Sequence, residues 1–78
     1  MNTLQPGKYQ HYKGAFYEVL GVAIHSETLE ELVLYKMLYS SEKYPENTLW
    51  IRPLTMFTET IEINGEAVPR FKLVSSNV

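Results

Sequence analysis

The sequence predicts a mainly β fold: a small, strongly bent antiparallel barrel of five or six strands with one short helical turn. Three observations predict it. Short runs rich in Tyr, Val, Ile, Phe and Leu recur along the 78 residues, separated by Gly, Pro, Asn and Ser. Asn64-Gly65 lies between two such runs, and Asn-Gly suits the tight type I′ hairpin turn. The best helical candidate, over residues 32–39, would be apolar nearly all round, so an open sheet covered by large helices is the poorer fit.

Each element follows in turn. Gln5-Pro6-Gly7 is turn chemistry, and residues 8–12 favour extended structure, giving a first strand. Lys13-Gly14 turns the chain into a long strand over residues 16–25. Phe16, Leu20, Val22 and Ile24 share one parity there; Tyr17, Val19, Ala23 and His25 share the other. Gly21 marks a bulge or sharp bend.

The next segment has helical features, because Thr28 and Glu31 imitate a capping box and Leu29, Leu32, Val33 and Met37 fall at helical spacing. Between residues 32 and 39, however, only Lys36 is charged. A helix there would be apolar nearly all round, which so small a domain can scarcely cover. The segment is expected to be a central strand over residues 32–39, buried on much of both faces.

Residues 40–47 form a polar loop containing Pro45. Residues 48–52 then make a strand with Trp50 and Arg52 on one side and Leu49 and Ile51 on the other. Pro53 can open a helical turn bearing Leu54, Met56 and Phe57. Residues 61–63, the Asn64-Gly65 turn and residues 67–74 complete a hairpin, with Pro69 confined to an edge. One domain over residues 1–78 is expected, its ordered core about 7–74, with tails at the first few residues and at 75–78.

The composition narrows the function classes. There is no cysteine, which removes disulfide stapling, thiolate metal sites and thiol catalysis. Nine Glu against five Lys and two Arg leave a net charge of −2, so bulk attraction to nucleic acid or anionic lipid is not expected. The longest apolar run, residues 32–35, falls far short of the roughly 20 residues a bilayer needs. Neither end carries an apolar signal region, and a soluble, cytoplasmic protein is expected.

His25-Ser26-Glu27-Thr28 gathers four chemically able side chains, but neighbouring residues on a strand point to opposite faces, and nothing supplies an oxyanion hole. A structural role for Ser26, bonding the backbone as the chain turns, outweighs a nucleophilic one. Metal would call on His11, His25 and Glu27, a set without diagnostic spacing. No metal and no cofactor is therefore expected. The glutamates are most simply solvated turns, and isolated Gly7 and Gly14 do not make a phosphate loop. Basic residues interleave with aromatics at residues 8–13, Trp50-Ile51-Arg52 and Arg70-Phe71-Lys72; such faces can stack bases, although aromatics at these spacings more often fill a core.

Taken together, Tyr9-x-His11-Tyr12-Lys13-Gly14, Tyr17-x-Val19, His25-Ser26-Glu27-Thr28, Val33-x-Tyr35, Leu38-Tyr39, Trp50-x-Arg52-Pro53, Met56-Phe57 and Arg70-Phe71 carry a resemblance. From about Gly7 to Leu73 the chain resembles the bacterial family named domain of unknown function 1653. The resemblance implies an SH3-like barrel and a bacterial origin, and it brings no established activity. It also implies that His11, Lys13, His25, Ser26, Glu27, Thr28 and Arg52 belong to the family's pattern, as a satisfied polar network or as a shared surface.

The resulting candidate ligand-binding set is Tyr9, His11, Lys13, His25, Ser26, Glu27, Thr28, Tyr35, Trp50 and Arg52. In the favoured arrangement the domain is a noncatalytic binding or accessory module. Arg52 grips a carboxylate or phosphate bidentately, Trp50 and Tyr35 offer stacking faces, and Glu27 holds Arg52 in place. The partner is then a protein, a peptide or a small anionic, nucleotide-like ligand; nucleic acid is less favoured, membrane is not expected, and the chain is a monomer or weak dimer. The alternative is a small hydrolytic or transfer enzyme with His25 or His11 as general base.

Overall fold

The computed structural model describes residues 4–76. Along the chain come β1 (Gly7–His11), β2 (Phe16–Ile24), β3 (Glu31–Met37), β4 (Leu49–Pro53), the helical turn α1 (Leu54–Phe57), β5 (Thr60–Ile63), β6 (Glu66–Pro69) and β7 (Phe71–Ser75). The protein is mainly β, as its sequence predicts, but with seven strands among the described residues rather than five or six. The difference lies in the last segment, expected as one strand over residues 67–74. At Arg70 it leaves one sheet for another: the Arg70 N–H donates to the Glu59 carbonyl (2.9 Å), and its carbonyl accepts the Tyr12 N–H (2.9 Å).

Five strands form one antiparallel sheet in the order β4-β3-β2-β1-β7, and β5 and β6 form a separate hairpin. Asn64 and Gly65 take φ of 53° and 80°, the left-handed pair that a type I′ turn requires. Among the described residues no hydrogen-bonded pairing joins β4 to β7, so the large sheet remains open. It nevertheless curls far enough for side chains from its two edges to meet: the Arg52 guanidinium of β4 lies 5.5 Å from the centroid of the Phe71 ring of β7.

A bulge at residues 19–21, where Val19 pairs with Tyr35 but Gly21 with Leu34, makes this packing possible. Tyr17 and Val19 face the interior before the bulge and Val22 faces it afterwards, while Leu20 is thrown outward. Simple alternation across residues 16–25 therefore fails at one inserted residue. On β3, Leu32 and its neighbour Val33 are both buried, so this strand is covered on both faces and the helical alternative is excluded.

The core is Tyr9, Val19, Val33, Tyr35, Leu54, Phe57 and Phe71. Its centre is aromatic. Phe57 of α1 stacks on Phe71 at 4.0 Å with the planes 4° apart, while Tyr9 and Tyr35 meet Phe57 edge-on at 5.5 and 5.4 Å. Such contacts add about 0.5–1.5 kcal/mol each beyond the area they bury, and they fix where the edge strands sit. Pro53 ends β4 at φ −52° and ψ 138° and caps α1 from outside, one position earlier than the helical position its ring would suit. Of the expected tails, Ser75 belongs to β7 and pairs with Lys8, while residues 1–3 and 77–78 lie outside the described residues. No helix among the described residues is long and apolar enough to cross a membrane.

Candidate functional site

The His25-Ser26-Glu27-Thr28 stretch is the turn from β2 to β3. The His25 N–H donates to the Glu30 carbonyl and the Leu29 N–H to the His25 carbonyl, both at 2.8 Å. The imidazole Nδ1 accepts the backbone N–H groups of Glu27 (3.1 Å) and Thr28 (3.3 Å). Ser26 donates its hydroxyl to Glu27 Oε1 at 2.9 Å, and Thr28 Oγ1 accepts the Glu30 N–H at 3.2 Å. The side-chain bonds are all at the exposed surface, and they satisfy a turn as Ser, Thr and His side chains commonly do. Ser26 faces a carboxylate rather than the imidazole, so no nucleophile–base contact exists here.

His11 ends β1 in a similar way: its Nδ1 accepts the Lys13 N–H at 3.2 Å. Its ring, however, packs against Tyr12 at 4.4 Å and edge-on to Phe71 at 4.9 Å. Burial, then the positive charges of Arg52, Arg70 and Lys13, push its pKa below the ordinary 6.5. Lys13 also sets its ammonium 5.8 Å from the centroid of Tyr12.

Arg52, half-buried, also lies against Phe71. Its Nε donates to the Tyr35 hydroxyl at 3.4 Å while the guanidinium carbon sits over the Phe71 ring. Two other part-buried cations have acids: Lys36 meets Glu18 at 3.2 Å and Arg70 meets Glu59 at 3.0 Å. Among the described residues Arg52 has no carboxylate within ion-pair distance. Beside it the Tyr17 and Tyr39 hydroxyls share a hydrogen bond of 2.8 Å, and the Tyr17 ring meets Tyr35, Tyr39 and Phe71 edge-on. Burial, the Tyr39 hydrogen bond and the charges of Tyr39 and Tyr35 hold the Tyr17 phenol well above its ordinary pKa, against the opposing pull of Arg52. It remains a neutral hydroxyl, able to donate.

These positions correct part of the expected surface. Tyr9 and Tyr35 are core residues, each 5% exposed, and Tyr9 donates its hydroxyl to the Gln5 carbonyl at 2.7 Å. Tyr35 thus offers its hydroxyl to Arg52 and keeps its ring inside. Trp50 lies opposite Tyr35 in the sheet, half-buried beneath Tyr44 at 4.9 Å, and its indole N–H is buried without a partner. Glu27 does not hold Arg52: its carboxylate accepts from Ser26 in the distant hairpin turn. His11, Lys13, Tyr35, Trp50 and Arg52 gather around the curl of the sheet; His25, Ser26, Glu27 and Thr28 do not join them. No three His or Glu side chains among the described residues are placed to hold a metal.

A family model described as a protein of unknown function, DUF1653, matches residues 7–73. The chain belongs to the DUF1653 family. A DUF1653 protein from Bordetella bronchiseptica, known from a crystal structure, is similar at 38% identity and a TM-score of 0.80, over 91% of this chain and 87% of that one. No curated protein matches the chain.

The DUF1653 chain also brings to the curl of the sheet four residues that the sequence-based set omits: Tyr17, Tyr39, Arg70 and Phe71. The Arg70-Phe71-Lys72 triplet does show as a basic and aromatic alternation, and that was the available signal for two of them. Tyr17 and Tyr39 give none beyond their place in the family's pattern, because they meet only when β2 and the bend after β3 are brought side by side.

Proposed function

We propose that this DUF1653 protein is a noncatalytic binding or accessory module of the SH3-like barrel type, working in the bacterial cytoplasm. Its ligand, a protein, peptide or nucleotide-like molecule, binds at the mouth where β4 and β7 converge. One observation carries the proposal: Arg52 is oriented by Tyr35 and Phe71 yet has no acidic partner among the described residues, whereas Arg70 and Lys36 do. A guanidinium held in place without a counter-charge is an unfinished interaction that a ligand can complete. Tyr17, Tyr39 and Trp50 supply the surrounding aromatic walls.

The enzyme alternative is less well supported. Both histidines spend Nδ1 as an acceptor for backbone N–H groups, so their neutral forms carry the proton on Nε2. An imidazole in that state donates from its free nitrogen and cannot take up a substrate proton there. A fragment screen followed by amide chemical shifts tests the binding module. Hits should cluster on β4, β7 and Tyr39 and vanish in Arg52→Ala; a wild-type map centred on the His25 turn would reject the proposed mouth.

A further inference from the structure

We infer that the group recognised at this mouth is an oxyanion, a carboxylate or phosphate, gripped by the terminal nitrogens of Arg52 and coupled to a proton on His11. The inference rests on the binding-module reading and names its ligand chemistry. The Arg52 side chain has three nitrogen positions; Nε is tied to Tyr35, which turns the plane and leaves the paired Nη edge for two parallel bonds to an oxyanion. Phe71 supports the guanidinium from one side, and the hydrogen-bonded Tyr17–Tyr39 hydroxyl pair stands beside it as a further donor.

The mouth's charge selects the ligand's sign. His11 and Arg52 flank the same Phe71 ring, at 4.9 and 5.5 Å from its centroid. Facing His11 are Lys13 from its own turn, Arg52 from β4 and Arg70 between β6 and β7, while Lys72 shares a groove wall with it. The one acid bonded into this set is Glu59, and it is engaged with Arg70. An aromatic enclosure could in other settings hold a cation, but the cations gathered here repel one. An anion on Arg52 offsets that field, so it favours His11 protonated at Nδ1, a state that gives up the bond from the Lys13 N–H; by reciprocity, protonation of His11 strengthens anion binding.

The test follows the two histidine ring protons by NMR through a pH titration of the whole chain. Inorganic phosphate, phenyl phosphate, acetate and benzoate are added separately, with chloride at matched ionic strength as reference and tetramethylammonium as the cationic probe. The two phosphates and the two carboxylates separate the possible oxyanion sources. A bound unit charge acting through a water-like dielectric should raise its midpoint by on the order of a few tenths of a pH unit. At least one anion class is expected to do so, with His25 unmoved, no response to tetramethylammonium, and loss of the effect in Arg52→Ala. Arg52→Lys keeps the charge without the fork and should weaken binding; unchanged Phe57 and Phe71 ring shifts verify folding in both variants. His11 unmoved by all four anions, or moved equally in Arg52→Ala, overturns the inference. If the anions are silent while a neutral or cationic fragment shifts β4 and β7 amides, the oxyanion assignment falls and the binding module stands.

Discussion

The turns after β1 and after β2 each begin with a histidine whose Nδ1 accepts the backbone N–H two residues on, Lys13 at 3.2 Å and Glu27 at 3.1 Å. Their local chemistry matches, but their surroundings do not. His25 sits in an exposed hairpin turn whose polar side chains satisfy one another. His11 lies against Phe71, within the field of Arg52, Arg70 and Lys13. A dense cluster of reactive residue types along the chain therefore marks a turn, while the chemically unfinished site is assembled from residues far apart in sequence. What distinguishes the two is the curl of the sheet, which brings β4 and β7 together at one histidine and leaves the other alone.

The sharpest way to break the contrast is to remove its support. Phe71→Ala deletes the ring shared by Phe57, His11 and Arg52, and large-to-small aromatic changes in cores cost about 3–5 kcal/mol. Urea unfolding should show a loss of that size; a loss below about 1 kcal/mol would mean that Phe71 does not join the edges. His25→Ala removes one acceptor from an exposed turn, for an expected cost of about 1 kcal/mol. Its fragment-binding map should equal the wild type's.

The His25 turn also contains strain that the His11 turn handles with Gly14. Leu29 has φ of 62°, a left-handed conformation unfavourable for a leucine and tolerable for asparagine. Leu29→Asn should therefore stabilise the fold by about 0.5–1 kcal/mol in the same urea experiment.

The smallest effect concerns pH. Above the ordinary 6.5 the His11 imidazole is neutral in folded and unfolded chains alike. As pH falls below that value the unfolded chain takes up the proton first, so stability should decline until the lower folded pKa is passed. His11→Gln should remove that part of the slope, read as the urea midpoint between neutral and mildly acidic pH. An unchanged slope would mean that neither burial nor the nearby cations lower the His11 pKa.

These effects show what the linear chain discloses. The hairpin at Asn64-Gly65 was readable because a two-residue turn with both φ positive is a local demand, met by local residue types. The central strand was readable for a related reason: one charge in eight residues cannot suit a helix in so small a domain. The inward face of β2 is readable only in part: Gly21 marks the bulge that the structure has at residues 19–21, but alternation does not show that the inward role passes there from Val19 to Val22. Of the site, Arg52 and His11 are legible in the sequence, but the expected pairing of Glu27 with Arg52 does not form. Opposite charge does not make two residues neighbours, and only tertiary packing decides that the carboxylate turns to Ser26 while the guanidinium turns to Tyr35 and Phe71.

The central claim is physical contact across the two edges of an open sheet. Nuclear Overhauser measurements on the free protein address it directly, through the side-chain protons of Arg52 and the rings of Phe71 and Tyr35. Cross-peaks from the Phe71 ring to both residues, with Arg52 methylene protons shifted upfield by the ring beneath them, are the predicted result. Arg52 protons at ordinary solvent-exposed shifts, with no cross-peak to Phe71, would contradict it.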